Sequence, residues 1–363
     1  MSERAIPCMV MRGGTSKGLY FLASDLPTDI ATRDAVLLAA MGSPDIRQID
    51  GMGGADPLTS KIAVVSPASR PDADIDYLFL QAVVDEARID PSQNCGNILA
   101  GIAAFALLRG LCKAAGETTA VRIHMVNSAN IAVATIETPG GHTRFDGTAR
   151  IDGVPGTSAP VLLDFIDVAG STCGALLPTG RALDHVLGVD VTCIDNGMPV
   201  VLMRAADFGL TGTETPEAME ANAGLRARVE AIRLAVGPMM TLGDVAKKTV
   251  PKMCLIAPPV AGGAVVTRNF IPHRVHKTIG VLGAVSVATA CVLPGSVADG
   301  IAVLPASGPM RLDVEHPSGF FTVDLEVEPQ GEGIAVRRSA LLRTTRRLMD
   351  GFVYVPDAVW PVV

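Results

Sequence analysis

Two stretches of the chain are almost free of charged residues, and they predict two buried helices. The first covers 98–111 and the second covers 278–291. A helix at a protein surface has polar residues along one side, and neither stretch has such a side. We therefore expect both helices to be enclosed by other elements.

Short segments rich in β-branched or alternating apolar residues surround both helices and predict strands. In the first half these segments are 5–11, 19–22, 62–65, 75–84, 121–125, 131–138 and 144–146. In the second half they are 191–195, 200–203, 250–257, 263–270, 310–314, 320–327 and 352–355. Further helices are predicted at 34–41, at 216–234 with Thr215 as N-cap and Pro216 at the first position, and, with basic character, at 339–349.

The same order of elements occurs twice, and it predicts the fold. Each half contains strands, a polar turn with glycine, and one helix without a polar side. Because such a helix must be enclosed, we expect a curled, mostly antiparallel sheet around each one. The sequence thus predicts an α+β protein with two similar domains, 1–184 and 185–363, separated near the Gly-, Ser- and Pro-containing stretch 170–188.

Composition narrows the classes of function. The 363 residues are 48% hydrophobic and 18% charged, which is enough apolar material for two cores, and only 4% are aromatic. A net charge of −7 without a basic face argues against nucleic acid and acidic membranes as partners. The N-terminal residues 1–14 lack the apolar core of a signal peptide, and no apolar run reaches the roughly 18 residues of a membrane span, so a cytoplasmic protein is expected. Seven cysteines without CxxC or zinc spacing, and the lack of a nucleotide fingerprint, predict no metal and no cofactor.

The turn before the first apolar helix is the first candidate for chemistry. Cys95 follows Asn94 and precedes Gly96 and Asn97, where the helix is expected to begin. Free backbone N–H groups at a helix start favour a thiolate and bind carboxylates. The pattern indicates a thiol that donates or accepts a proton beside an anion site. A structural cysteine between two capping asparagines would give the same pattern.

A lysine at the start of a strand is the second candidate. Lys61 follows the glycine-rich loop 51–60, which ends at Ser60, and begins an apolar strand. A desolvated lysine loses its proton more readily and can act as a general base. A strand-end lysine that extends its ammonium group into water is the alternative.

The segment 12–18 could bind an oxyanion through backbone amides, because Gly13, Thr15 and Ser16 combine with two cations in one turn. It lacks the GxxxxGK[ST] order of a nucleotide-binding loop. A tight β-hairpin would need the same glycines.

The segment 268–278 precedes the second apolar helix and is rich in cations. It contains Arg268, His273 and Thr278, and a polyanionic small molecule would suit it. A solvated run of charges is the alternative.

These stretches together resemble a known family. The motifs MRGGTSKG, GMGGADPLTSK, QNCGNILAG, CIDNGMPVV and FIPHRVHKTIGVLGAVSVATAC are similar to those of the 4-oxalomesaconate tautomerases and isomerases, the PrpF-like branch of the diaminopimelate epimerase fold. The resemblance extends from Pro7 to about Val355. It implies two similar domains, each a curled sheet around a central helix, with the site in the cleft that separates them, and proton chemistry without a cofactor.

The resemblance also implies roles for single residues. Diaminopimelate epimerases use two thiols, and Cys95 matches the first. The second position, near Ile279 and Gly280, has no cysteine, so two-thiol racemisation is not expected. The PrpF-like branch instead has a lysine opposite the thiol, and Lys61 falls at that position. The implied substrate-binding residues are Gly13, Thr15, Ser16, Ser60, Asn94, Gly96, Asn97, Met198, Arg268, His273 and Thr278.

The expected activity is a cofactor-independent proton transfer, either a keto–enol or a 1,3-allylic shift, on 4-oxalomesaconate in gallate or protocatechuate 4,5-cleavage. An isomerase of 2-methylaconitate or methylitaconate would use the same residues. A protein of another class, a non-catalytic tricarboxylate-binding accessory protein, would bind without exchanging substrate hydrogens. The expected partner is a small tricarboxylate, and the sequence leaves a homodimer open.

Overall fold

The computed structural model describes residues 3–92, 94–166, 168–271, 274–306, 310–331 and 333–361. The chain forms two compact units, Met1–Asp164 with Leu342–Val363, and Phe165–Leu341. The division lies earlier than the expected boundary at 184/185, and the last residues return to the first unit. They return because the final strand extends from its partner in the second unit to a partner in the first. None of the described helices has the length and apolarity needed to cross a bilayer.

The first unit is a sheet with helices on both of its faces. Its elements are β1 Glu3–Gly13, β2 Ser16–Leu22, α1 Ile30–Met41, β3 Lys61–Pro67, β4 Ile75–Ala82, β5 Ile89–Asp90, α2 Gly96–Leu99, α3 Ile102–Leu108, β6 Thr118–Met125, β7 Asn130–Glu137 and β8 Pro160–Ile166. Strands β2 and β3 are parallel, and β3 and β4 are antiparallel. Side chains of Leu19, Ile62 and Leu80 pack with α1 on one face. The opposite face packs on α2 and α3, where the rings of Tyr20 and Phe105 are 5.8 Å apart.

The predicted first central helix, 98–111, is two short helices. It begins two residues earlier, at Gly96, and is interrupted at Gly101 before α3 begins. A Cβ atom on Gly101 would lie 2.5 Å from the Tyr20 hydroxyl, so the chain passes very close to the sheet at this point. Residues 102–106 are all fully buried, as a helix without a polar side requires.

The second unit is also a sheet with helices on both faces. Its elements are β9 Asp184–Val186, β10 Val189–Asp195, β11 Pro199–Arg204, α4 Pro216–Ala221, α5 Ala223–Met239, β12 Lys252–Ala257, β13 Val265–Ile271, β14 Arg274–Val275, α6 Val281–Val292, β15 Met310–His316, β16 Gly319–Gln330 and β17 Gly333–Pro356. Helix α5 packs on Met253 and Leu255. Helix α6 covers the opposite face and is buried from Val281 to Cys291.

The predicted basic helix at 339–349 is wrong, because these residues belong to strand β17. This strand first pairs with β16, where Val323 lies opposite Leu341, and then with β1, where Gly13 lies opposite Thr345 and Glu3 opposite Pro356. Pairing with the neighbouring strands β16 and β1 overrides the local helix propensity of this segment. The predicted strand at 144–146 is also wrong, since that segment is irregular.

The predicted helix 216–234 is two helices. Thr215 caps the first by accepting a hydrogen bond from the Ala218 N–H, as expected, with Pro216 at the first position. Asn222 ends this helix and caps the second by accepting from the Leu225 N–H. Because Asn is a good N-cap, a new helix starts where the first one ends.

The two units share a strand topology. Strands β11 and β12 are parallel and β12 and β13 antiparallel, as β2, β3 and β4 are in the first unit. The middle strand of each set begins with a lysine, Lys61 in β3 and Lys252 in β12. The second unit therefore carries a topological counterpart of Lys61.

Replacing Lys252 should stabilise the protein and change its response to pH. The Lys252 Nζ is buried without a hydrogen-bond partner among the described residues. Burial, and secondarily Arg233, lowers the pKa of Lys252 from 10.5 to about 8. Because the folded-state pKa is the lower one, the free energy of unfolding should rise as the pH increases from 8 to 10.5.

We expect Lys252→Met to raise the free energy of unfolding at pH 7 by roughly 2 kcal/mol and to flatten that rise, measured by urea denaturation at several pH values. The exposed Lys247 provides the control, since Lys247→Met should change neither quantity. Parallel pH curves for the wild type and Lys252→Met would contradict the expectation.

Candidate active site

Lys61 is held at the start of β3 between two strands. It lies opposite Gly18 on β2 and opposite Gln81 on β4. A Cβ atom on Gly18 would lie 2.3 Å from the Lys61 carbonyl oxygen, so glycine permits this close approach. Lys61 is only 8% exposed, and its Nζ donates a hydrogen bond of 2.8 Å to the Gln81 Oε1. The Lys61 side chain is buried rather than extended into water.

Cys95 is the N-cap residue of α2 and is half-buried. Two tyrosines from the sheet fix the backbone here: Tyr77 donates to the Cys95 carbonyl at 3.2 Å and Tyr20 to the Ile98 carbonyl at 2.7 Å. Burial raises the pKa of both phenols well above 10, and the nearby Cys95 thiol adds to this effect. Both tyrosines therefore remain protonated donors at neutral pH.

Strand register places Lys61 and Cys95 on the same face of one sheet. Side chains directly opposite each other across a strand pair share a face, as do residues two apart along a strand. Lys61 therefore shares its face with Tyr20 on β2 and with Tyr77 on β4. Since these two tyrosines bond to the backbone of 95–98, Lys61 and the segment that carries the thiol lie on the same side of the first unit.

The hairpin of β1 and β2 rests on the start of α2. Asn97 accepts from the Thr15 N–H at 3.3 Å and donates to the Thr15 hydroxyl at 3.1 Å. A Cβ atom on Gly13 would lie 2.3 Å from the Asn97 carbonyl oxygen, and one on Gly14 2.1 Å from the Asn97 Oδ1. Gly14 also has a positive φ of 51° in the two-residue turn. The glycines permit this contact. A tight β-hairpin at 12–18 is therefore compatible with a binding role for the same residues.

Two polar groups, the Ser16 hydroxyl at the start of β2 and the Asn94 Oδ1 next to Cys95, are buried without a partner among the described residues. The Asn94 side-chain N–H donates to the Ser128 hydroxyl at 2.6 Å, which fixes its orientation. The N–H groups of Gly96 and Asn97 lie in the first turn of α2, where backbone donors have no acceptor within the helix. These groups offer hydrogen bonds to a small polar molecule.

Ser60 belongs to the support of the loop before Lys61. Its hydroxyl is fully buried and contacts the Gln48 Oε1 at 2.7 Å and the Asp56 carbonyl at 2.9 Å. The Gln48 Oε1 also accepts from the Ala55 N–H at 2.8 Å. Ser60 thus connects loop 51–60 to Gln48, and its hydroxyl is already used.

In the second unit, Met198 lies in the turn that joins β10 and β11. Its carbonyl accepts from the Ser286 hydroxyl of α6 at 2.7 Å. The buried Asn196 side chain donates to Thr289 at 2.8 Å and to Ser339 at 3.2 Å. The turn is therefore fixed to the central helix by buried polar groups, a network that the sequence pattern did not reveal.

Arg268 does not lie beside the central helix of the second unit, as the charged segment suggested. It lies opposite Leu255, on the face of β13 that packs on α5. Its Nε donates to the Glu214 carbonyl at 2.7 Å and its Nη1 to the Thr267 carbonyl at 2.8 Å. Thr278 precedes α6 and contacts the His276 Nδ1 through its backbone N–H at 2.9 Å. His273 lies outside the described residues.

The remaining cysteines differ from Cys95. Five are buried, and burial raises the pKa of the Cys173, Cys193 and Cys291 thiols to about 12. These thiols stay protonated and act as packing groups. Within the described part of the chain, no three His, Cys, Asp or Glu side chains converge as a metal site.

Comparison with known proteins adds the family. Residues 3–356 match the PrpF protein family. The (4E)-oxalomesaconate Delta-isomerase of Novosphingobium sp. (strain KA1) is 61% identical over 349 residues, 96% of this chain and 97% of that protein. The 4-oxalomesaconate tautomerase of Pseudomonas putida is 58% identical over 360 residues, 99% of both chains.

A solved structure agrees with this assignment. The crystal structure of a methylitaconate-delta-isomerase is 36% identical and aligns with a TM-score of 0.85, covering 99% of this chain and 97% of that one. The expected diaminopimelate epimerase-like fold is confirmed. One of the two relatives is named as an isomerase and the other as a tautomerase, and each match covers essentially the whole of both chains. The chain therefore belongs to the PrpF family, and it is an isomerase.

Proposed function

We propose that the protein isomerises 4-oxalomesaconate by moving a proton without a cofactor, in the 4,5-cleavage breakdown of gallate or protocatechuate. The observation that carries the proposal is the buried Lys61 on the same face of one sheet as the Cys95 thiol. The names of the two relatives near 60% identity support the choice of substrate. We also propose that the reaction takes place in the cytoplasm, where a small acid of catabolism would be available.

The proposed chemistry needs one base and one acid on a delocalised intermediate. The neutral Lys61 amine takes a proton from the carbon next to the conjugated carbonyl, and the electrons of that C–H bond pass into a dienolate. Backbone N–H groups of Gly96 and Asn97 stabilise its oxygens, an effect worth about 3 kcal/mol per donor. Cys95, or a water that it orients, returns a proton at the other end. One proton leaves and one arrives, so the product is an isomer.

Substrate binding is assigned to the polar groups around this pair. The hydroxyls of Thr15 and Ser16 would donate to a carboxylate of the acid, and the Asn94 Oδ1 would accept from a hydroxyl group of the acid. The Ser16 hydroxyl and the Asn94 Oδ1 are buried without a partner in the described structure. Gly13 acts by permitting the hairpin contact rather than by touching substrate. Because the Nε and Nη1 of Arg268 and the Ser60 hydroxyl already bond to the protein, we leave these residues out of the binding set.

The test is proton NMR of 4-oxalomesaconate in D2O with the purified protein. We expect conversion with solvent deuterium at a single carbon. Parallel reactions with 2-methylaconitate and methylitaconate set the specificity, and faster turnover of either would overturn the substrate assignment. Saturable binding without deuterium exchange would overturn the catalytic role and favour an accessory protein.

Substitution of Cys95 should separate the two proton transfers. In Cys95→Ala the overall conversion should fall about a hundredfold, while deuterium still exchanges at the carbon that Lys61 deprotonates. Cys95→Ser should retain more activity, because a hydroxyl can orient a water. NMR in D2O measures conversion and exchange in the same sample.

The half-buried Cys112 is the matched control, and Cys112→Ala should leave both rates unchanged. If Cys95→Ala lost exchange and conversion equally, the division of roles between the thiol and the amine would be refuted.

A further inference from the structure

Gln81 is the hydrogen-bond partner of the Lys61 side chain among the described residues. Its Oε1 accepts from the Lys61 Nζ at 2.8 Å, and both residues are only 8% exposed. The two lie directly opposite each other in β3 and β4, so the contact follows from strand register. The Phe79 ring, two residues along β4, has its centroid 5.1 Å from the same Nζ.

The orientation of the Gln81 amide is fixed by the backbone around it. Its Nε2 lies within hydrogen-bond distance of three carbonyl oxygens, those of Pro57 at 3.2 Å, Ser60 at 2.9 Å and Ala82 at 3.0 Å. A reversed amide would place its oxygen against these three oxygens and its N–H groups against the lysine. The acceptor atom must therefore face Lys61.

A neutral acceptor suits a lysine that changes its protonation state. A carboxylate at this position would favour the ammonium form strongly and oppose proton loss. An amide oxygen accepts one N–H from the ammonium or from the neutral amine, and the amine lone pair then points elsewhere.

The two tyrosines that share the face of Lys61 carry no charge at neutral pH. Tyr20 on β2 and Tyr77 on β4 are buried phenols with raised pKa values, and Cys95 lies at the start of α2. Helix α3, which also packs on β3, has no ionisable side chain. In the preceding loop, the Asp56 carboxylate accepts from the Leu58 N–H at 2.7 Å.

We propose that Gln81 is the positioning residue for Lys61, holding Nζ at a fixed point while leaving it free to lose and regain a proton. The inference rests on the proposed function, in which Lys61 is the base. The second unit shows a lysine without such a positioning residue. Lys252 begins the equivalent strand, and its Nζ has no hydrogen-bond partner in the described structure.

Two substitutions of Gln81 should move the pH dependence in opposite directions. Gln81→Glu places a carboxylate beside Nζ, so the acidic limb of kcat/KM should shift upward by about one pH unit or more. Gln81→Met removes the acceptor, so the limb should shift downward and kcat should fall about tenfold to a hundredfold, with KM changed much less. A purely structural role would not produce opposite shifts.

The protonation of Lys61 can also be followed directly, by NMR of its ¹³Cε resonance against pH in the wild type and in both variants. We expect the titration midpoint to move up in Gln81→Glu and down in Gln81→Met. In Gln81→Glu a carboxylate oxygen replaces the N–H group that faces three carbonyl oxygens, which should lower the stability of the variant. Its measurements are therefore made well below its Tm. The exposed Gln330 supplies the control, since Gln330→Glu adds the same charge and should move neither limb nor midpoint.

Midpoints that stay at the wild-type value, or move in one direction in both variants, would overturn the role of Gln81. This result is separable from failure of the proposed function. The Lys61 titration is read from the side chain itself, whereas the base assignment is decided by the turnover of a Lys61 variant.

Discussion

Replacing Lys61 by alanine should lower kcat by about a thousandfold or more while the protein remains folded. General base catalysis contributes roughly 10² to 10⁴ to the rate, and no other described amine shares its face of the sheet. The substitution leaves the Gln81 Nε2 within hydrogen-bond distance of three backbone carbonyls, so the local backbone keeps its support. Steady-state kinetics with 4-oxalomesaconate, together with circular dichroism, measure both properties.

Two further measurements make this result specific to the amine. Lys247→Ala removes an exposed lysine and should retain full activity. Added methylamine should restore part of the activity of Lys61→Ala, because the deleted side chain leaves space for a small base. Wild-type kcat in the folded Lys61→Ala protein would refute the assignment of the base.

The residues that the sequence identifies most readily are those at the ends of elements. Lys61 begins a strand and Cys95 precedes a helix, and both boundaries follow from local patterns of apolar and glycine residues. The fold class also follows from local pattern, since α3 and α6 have no polar side and must be enclosed. These features depend on a few neighbouring residues, so they can be predicted without the structure.

The residues that support the site depend on register, which the sequence does not contain. Gln81 is twenty positions from Lys61 and becomes its partner only because β3 and β4 pair at that register. Nothing in the sequence pattern marks Tyr20 and Tyr77, whose hydroxyls hold the backbone at Ile98 and Cys95. A slip by one residue would move all of these side chains to the α1 face.

Register also explains the two clearest differences from expectation. Arg268 was expected near the second central helix because it lies close to that helix along the chain. Strand alternation instead directs it to the face that packs on α5. The segment 339–349 has the composition of a basic helix, and only its pairing with β16 and β1 makes it a strand. Pairing between distant segments decided both cases.

Gly13→Ala should reduce both stability and activity, although the substituted residue has no side chain to lose. The new Cβ would lie 2.3 Å from the Asn97 carbonyl oxygen, 2.9 Å from the Tyr20 hydroxyl and 3.1 Å from the Ile98 Cα. Two of these atoms are backbone and cannot move independently, so the hairpin must separate from α2. We expect the free energy of unfolding to fall by about 3 kcal/mol, measured by urea denaturation.

The loss of activity should exceed what unfolding explains, because α2 carries the thiol while β2 lies against Lys61. A displacement of about 1 Å in a catalytic geometry costs on the order of a hundredfold in rate, so kcat of the folded fraction should fall by that amount. Gly333 is the control: among the described residues a Cβ there meets the Gln330 carbonyl oxygen alone, at 3.8 Å, so Gly333→Ala should be close to neutral. If Gly13→Ala instead kept wild-type kcat and stability, the contact of the hairpin with α2 would not be what sets the distance of the thiol from the amine.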